Sequence, residues 1–152
     1  MFKKAIILYL LLFTTACSLK TQEAPYEDVD KAATLFFQRL TAGKYDEIYS
    51  DSEKSFQAKN PKPEVVDNLR KMAAMGKPGA PVRMTMNYST EEGKRVATPN
   101  YLVIFDNTGA GEVKTPDGQT IPPQSRTTVI LKFVDDSGEW KLGAFEVRQR
   151  AG

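Results

Sequence analysis

The sequence predicts a single α+β domain, with three helices in its first half and a four-stranded antiparallel sheet in its second. Three observations carry that prediction. Apolar residues recur at helical spacing from about residue 25 to residue 75, they alternate after Pro81, and Gly76, Pro78, Gly79 and Pro81 mark the junction.

The first helix is expected from Pro25 to Thr41. Val29, Ala33, Phe36, Phe37 and Leu40 draw one apolar stripe along it. Pro25 suits a first-turn position, Glu27, Asp28 and Asp30 favour the positive end of the helix dipole, and Gly43 ends the helix. A second helix is expected from Lys44 to Phe56, with Tyr45, Ile48, Tyr49 and Phe56 facing inward. Two prolines between Lys59 and Pro63 break it. Pro63 and Glu64 then open a third helix that turns Val65, Leu69, Met72 and Ala73 inward.

Val82, Met84, Met86 and Tyr88 alternate with Arg83, Thr85 and Asn87, which predicts a strand with one buried face. The second strand is expected from Lys94 to Asp106, and Pro99 within it predicts an edge or a bulge, because proline donates nothing to a ladder. Asn107 to Gln124 is rich in Gly, Pro and polar residues and reads as an exposed loop or a loose hairpin extension. The third strand runs from Ser125 to Val134, with Val129, Leu131 and Phe133 on one face. Asp135 to Gly138 makes a tight turn, and Trp140 to Arg148 is the fourth strand. Trp140 and Leu142 share one phase and Phe145 and Val147 the other; a bulge at Gly143 returns both pairs to one side. The expected core contains Phe36, Leu40, Ile48, Leu69, Leu131, Phe133, Trp140 and Phe145.

The N-terminus has a different character. Lys3 and Lys4 precede an apolar run from Ala5 to Phe13, followed by Thr14, Thr15, Ala16 and Cys17. A positive end, a short apolar core and small residues before a cut form a secretory signal. The run falls well short of the about 20 residues that span a bilayer. Thr14-Thr15-Ala16-Cys17 resembles the lipobox of bacterial lipoproteins, with Thr14 where that family usually has Leu. The resemblance implies cleavage before Cys17 and acylation of Cys17. The expected organisation is therefore a signal peptide over 1–16, a lipidated cysteine and flexible tether over 17–25, and one domain over 26–150. The implied location is the bacterial cell envelope, anchored by lipid. Ser18 after the cysteine resembles lipoproteins sent to the outer membrane and facing the periplasm, in a cell that has one.

Lys3 and Lys4 account for the whole formal charge of +2. The remaining chain is formally neutral, which argues against nucleic acid as a partner. The chain has no histidine, and Cys17 is its one cysteine. An imidazole or thiolate metal site is thereby ruled out for the acylated protein, and the commonest general base is missing.

The stretch from Ala32 through Phe36, Leu40 and Gly43 to Tyr49, and the closing Gly138-Glu139-Trp140-Lys141-Leu142, resemble the nuclear transport factor two-like fold, also described as cystatin-like. The resemblance implies three helices on a curved, cone-shaped antiparallel sheet. It does not imply an activity, since the fold serves isomerases, dehydratases, transport factors and secretion scaffolds. Enzymes of this fold use the cavity between sheet and helices. Tyr45, Tyr49, Tyr88 and Tyr101 are the inward candidates, with Asp46 and Asp51 as the acids near Tyr45 and Tyr49, so Tyr45, Asp46, Tyr49 and Asp51 form the candidate cavity set. Asn107 to Glu112 contains a G-x-G without the third glycine of a dinucleotide loop and reads as a turn. Asp135 and Asp136 lack calcium-loop spacing. Met72, Met75, Met84 and Met86 form a soft apolar group where the third helix meets the first strand. The expectation is a non-catalytic, membrane-anchored envelope module with a protein partner and no cofactor. The alternative is a cone that binds a small apolar ligand or carries out isomerase-like proton transfer.

Overall fold

A computed structural model describes residues 26–108, 113–114, 118, 120–121 and 124–149. The signal-like segment, Cys17, the tether and much of the Asn107–Gln124 loop lie outside the described residues. Four helices come first: α1 (Tyr26–Thr41), α2 (Tyr45–Ser50), α3 (Lys54–Lys59) and α4 (Lys62–Ala73). The strands follow as β1 (Lys77–Pro78), β2 (Val82–Glu91), β3 (Lys94–Asp106), β4 (Val113–Lys114), β5 (Thr120–Ile121), β6 (Gln124–Asp136) and β7 (Glu139–Gln149). The α+β order and the antiparallel sheet agree with the sequence; the element count does not.

The expected second helix is two helices. The chain leaves α2 at Asp51, and the Glu53 carboxylate accepts hydrogen bonds from the backbone N–H groups of Ser55 and Phe56, capping α3. The carbonyls left open at this corner are also satisfied. Gln57 Nε2 donates to the carbonyls of Tyr49, Ser50 and Ser52 at 3.0, 3.0 and 2.9 Å, and Ser52 Oγ donates to Tyr49 O at 2.6 Å.

In the main sheet β3 is an interior strand. β1 and β2 pair with one of its edges, β6 with the other, and β7 lies beyond β6, all antiparallel; β4 and β5 form a separate pair. The sheet thus has five strands rather than four, because the two-residue β1 extends the β2 edge. Pro99 is at neither an edge nor a bulge. It sits where the β3–β6 ladder skips, between the pairs Ala97↔Phe133 and Asn100↔Ile130. The missing N–H of proline falls in that gap.

Gly143 is the expected bulge. Lys132 pairs with Ala144 and Phe133 with Leu142, so Gly143 is the extra residue, and Trp140, Leu142, Phe145 and Val147 all reach the core cluster. A Cβ on Gly143 would stand 2.8 Å from Val134 Cγ2. Gly143→Ala is therefore expected to cost about 1–2 kcal/mol through overpacking, read as a lower denaturation midpoint. An unchanged midpoint would mean that Val134 yields freely. Gly76, between α4 and β1, is held more tightly: its φ is +122°, and a Cβ there would meet the Asp106 carbonyl carbon at 2.7 Å.

The core joins the stripes of α1, α2, α3 and α4 to one face of β3, β6 and β7. All five expected α1 positions are buried. Of the expected core residues, Phe36, Leu40, Ile48, Leu69, Leu131 and Phe133 are buried, whereas Trp140 and Phe145 are half-buried at its margin. The expected buried face of the first strand is not found. Along β2 only Met86 is half-buried; Val82 is 57 % exposed and Met84 62 %. β2 is an edge strand, and alternation gains burial only where a layer covers the face. The methionine group is divided accordingly: Met72 and Met75 are buried, while Met84 faces out.

Candidate functional site

The centre of the space between helices and sheet is packed with side chains. Phe36, Phe37, Phe56, Met72, Met75, Phe105 and Phe133 are all buried there. Phe37 stacks edge to face on both Phe36 and Tyr101, with ring centroids 5.3 and 5.7 Å apart. Several polar features lie at the margin of this packing.

One of them joins a carboxylate to a tyrosine. Asp30 on α1 accepts a hydrogen bond from the buried Tyr101 hydroxyl of β3 at 3.1 Å, and its other oxygen accepts from Arg83 of β2 at 2.5 Å. Burial above all, and then the Asp30 charge, push the Tyr101 hydroxyl well above the ordinary tyrosine range, so it remains a neutral donor. These residues border a cleft of about 300 Å³ with Ala33, Thr34 and Pro81. Both oxygens of Asp30 are engaged, and the pair ties α1 to the sheet.

A row of rings continues from this point. The Arg83 guanidinium lies 5.4 Å from the centre of the Tyr26 ring, and Tyr26 meets Tyr88 edge to face at 5.5 Å. Tyr88 meets Trp140 at 6.5 Å, and Arg95 lies 5.6 Å from the centre of the Trp140 ring. Arg95 is ion-paired with Asp135, whose other oxygen accepts from the Gly138 N–H. Asp135 is therefore a structural turn residue.

Neither of the two clefts has more than one of the candidate set Tyr45, Asp46, Tyr49 and Asp51 in its lining. Asp46 faces solvent and pairs with Lys62 at 2.6 Å; that hydrogen bond holds its carboxyl below the usual range. Tyr45 packs against the core. The Tyr49 hydroxyl donates to the carbonyls of Gln57 and Asn60, pinning α3 to α2. Of the set, Asp51 borders an open cleft of about 560 Å³ between α1 and the β6–β7 hairpin, with the core residues Phe36, Ile48, Phe133 and Leu142 in its lining. There it pairs with Arg39 at 2.5 Å.

The residue that sequence reasoning missed most plainly is Glu53, a buried carboxylate. The Ser55 hydroxyl first, and then Lys94 and the backbone N–H groups of Phe56 and Ser55, outweigh the opposing effect of burial and hold its pKa down to about 2. Its bonds all serve the α3 cap and the tie to β3. Among the described residues, no group of three or more Cys, Asp or Glu side chains is placed to hold a metal ion.

No protein-family model matches the chain, and no curated protein matches it in sequence. Solved structures do match in fold. A candidate dehydratase of the NTF2-like family from Streptomyces avermitilis is 13 % identical, with a TM-score of 0.53, covering 84 % of this chain and 97 % of its own. Aln2 from another Streptomyces strain is 12 % identical, with a TM-score of 0.52, covering 82 % and 90 %. The helices followed by a curled antiparallel sheet are thus the nuclear transport factor two-like fold.

Proposed function

We propose that this domain is a non-catalytic interaction module of the bacterial envelope, anchored by acyl chains on Cys17. The observation that carries the proposal is the packed centre of the domain: Phe, Met and Leu side chains fill it, and the cleft of about 560 Å³ beside α1 is open to solvent. The anchor rests on the N-terminal sequence alone. Stable anchoring takes more than one acyl chain, at about 0.8 kcal/mol per buried CH₂. Cys17→Ser is expected to move the protein to the soluble fraction or to leave it unprocessed. A Cys17→Ser protein that is processed and membrane-bound like wild type would sink the proposal.

A second reading is favoured by the Asp30–Tyr101 pair, a carboxylate beside a neutral hydroxyl donor next to a cleft. In that reading the cleft takes a small apolar ligand and the pair moves a proton. The two readings diverge for Tyr101→Phe. The non-catalytic reading expects a loss of only about 1 kcal/mol, one hydrogen bond between α1 and the sheet. The second expects small apolar compounds to raise the melting temperature of wild type and not of Tyr101→Phe.

A further inference from the structure

The exposed apolar side chains of the described surface gather at the start of α1 and along β2, with Tyr88 on the helix-facing side of the sheet and Val82 on its outer side. Of the six large hydrophobic residues left exposed, four, namely Tyr26, Val82, Met84 and Tyr88, lie at the start of α1 and on β2. Tyr26 and Tyr88 belong to the ring row that ends at Trp140, with Arg83 and Arg95 stacked on its outer rings. Met84 is the extra residue of a bulge between Arg83 and Thr85. Among the described residues, nothing pairs with the outer edge of β2.

We infer that this row is a lipid-facing surface, seating the start of α1 and β2 against the bilayer that holds Cys17; the inference rests on the anchor proposed above. The direction from which the chain arrives selects the occupant. Residues 18–25 separate Cys17 from Tyr26, a reach of at most about 30 Å even when fully extended. Tyr26 is both the first described residue of α1 and a member of the row, so the row stands at the anchored end of the domain. Its chemistry suits the interface: Tyr and Trp carry an apolar ring with a polar handle that sits at headgroup level, and arginine buries its stem while its head stays wet. Arg83 is paired with Asp30 and Arg95 with Asp135, so the row is close to neutral and does not select for anionic lipid. The anchor holds the surface at high effective concentration, so a contact too weak to recruit free protein still forms.

The test uses the lipidated chain in phosphatidylcholine vesicles, with ordinary or brominated acyl chains, bromine quenching tryptophan on contact. Trp140, the only tryptophan, reports from within the row in the unaltered protein. Met84→Trp, in a Trp140→Phe background, reports from the most exposed apolar position of β2. Brominated vesicles are expected to remove most of the emission at position 84 and a smaller part at Trp140. Tyr26→Ser with Tyr88→Ser is expected to abolish the Trp140 loss while the protein still floats with the vesicles. Flotation with undiminished emission at both positions overturns the inference and leaves the anchor standing. Failure of the wild type to float overturns the anchor, and the inference with it. A Trp140 shift on adding glycan fragments or extended peptides, with no quenching by lipid, also overturns it in favour of that occupant.

Discussion

Phe36→Ala is expected to remove roughly 3–5 kcal/mol of stability, the range for truncating a buried aromatic side chain. Phe36 is 4 % exposed; its ring lies 5.3 Å from that of Phe37, the next residue of α1, and 6.1 Å from that of Phe145 on β7. The truncation leaves a void bounded by two rings, and each loses a partner on one side. Phe37 is held in turn against Tyr101, so the void cannot close without shifting the contact between α1 and β3. The expected result is a lower denaturant midpoint with an unchanged slope, because the folded state loses packing and not compactness. Phe36→Leu, which keeps most of the volume, is expected to cost about half as much or less. A loss below about 1 kcal/mol for the alanine variant would show a loose interior, and would reopen the reading in which the space between helices and sheet receives a ligand.

The same contrast explains what the sequence reveals. The α1 stripe is legible because five apolar positions keep one period between firm stops, and all five are buried. Gly143 is legible because the phase of Trp140 and Leu142 disagrees with that of Phe145 and Val147, and only an inserted residue reconciles them. The break between α2 and α3 is hidden, because it depends on the hydrogen bonds of Glu53 and Gln57 and not on apolar spacing. The exposure of β2 is hidden too. Alternation identifies the two faces of a strand, but the covering layer that decides burial comes from other parts of the chain. For the candidate site, nearness in sequence misleads. Asp46 follows Tyr45 directly and Asp51 lies two residues from Tyr49, separations at which helical side chains do not face each other. The pair that forms, Asp30 with Tyr101, spans 71 residues and has no local signature.

Glu53→Ala is expected to cost roughly 2–3 kcal/mol, the sum of a lost helix cap and the lost charge-assisted bonds of a buried carboxylate. Glu53 is 4 % exposed. It accepts from the Ser55 and Phe56 N–H groups at 2.7 and 3.1 Å, and from Lys94 Nζ at 2.9 Å. Its own N–H donates to Leu142 O at 2.8 Å, which fixes the start of α3 on β7. Lys94 is 45 % exposed, so its charge is screened and contributes the smaller part. The pH dependence separates the carboxylate from the packing around it. The folded pKa, about 2, lies below the ordinary value of 4.5, so the contribution is fully present above about pH 5 and is lost as pH falls towards 2. Glu53→Gln keeps the shape and removes the charge. Its stability gap to wild type is expected to be constant near neutrality and to close between about pH 5 and pH 2. A gap that stays the same across that window would show that the side chain acts by shape alone, and that the pKa of Glu53 is not depressed by its partners.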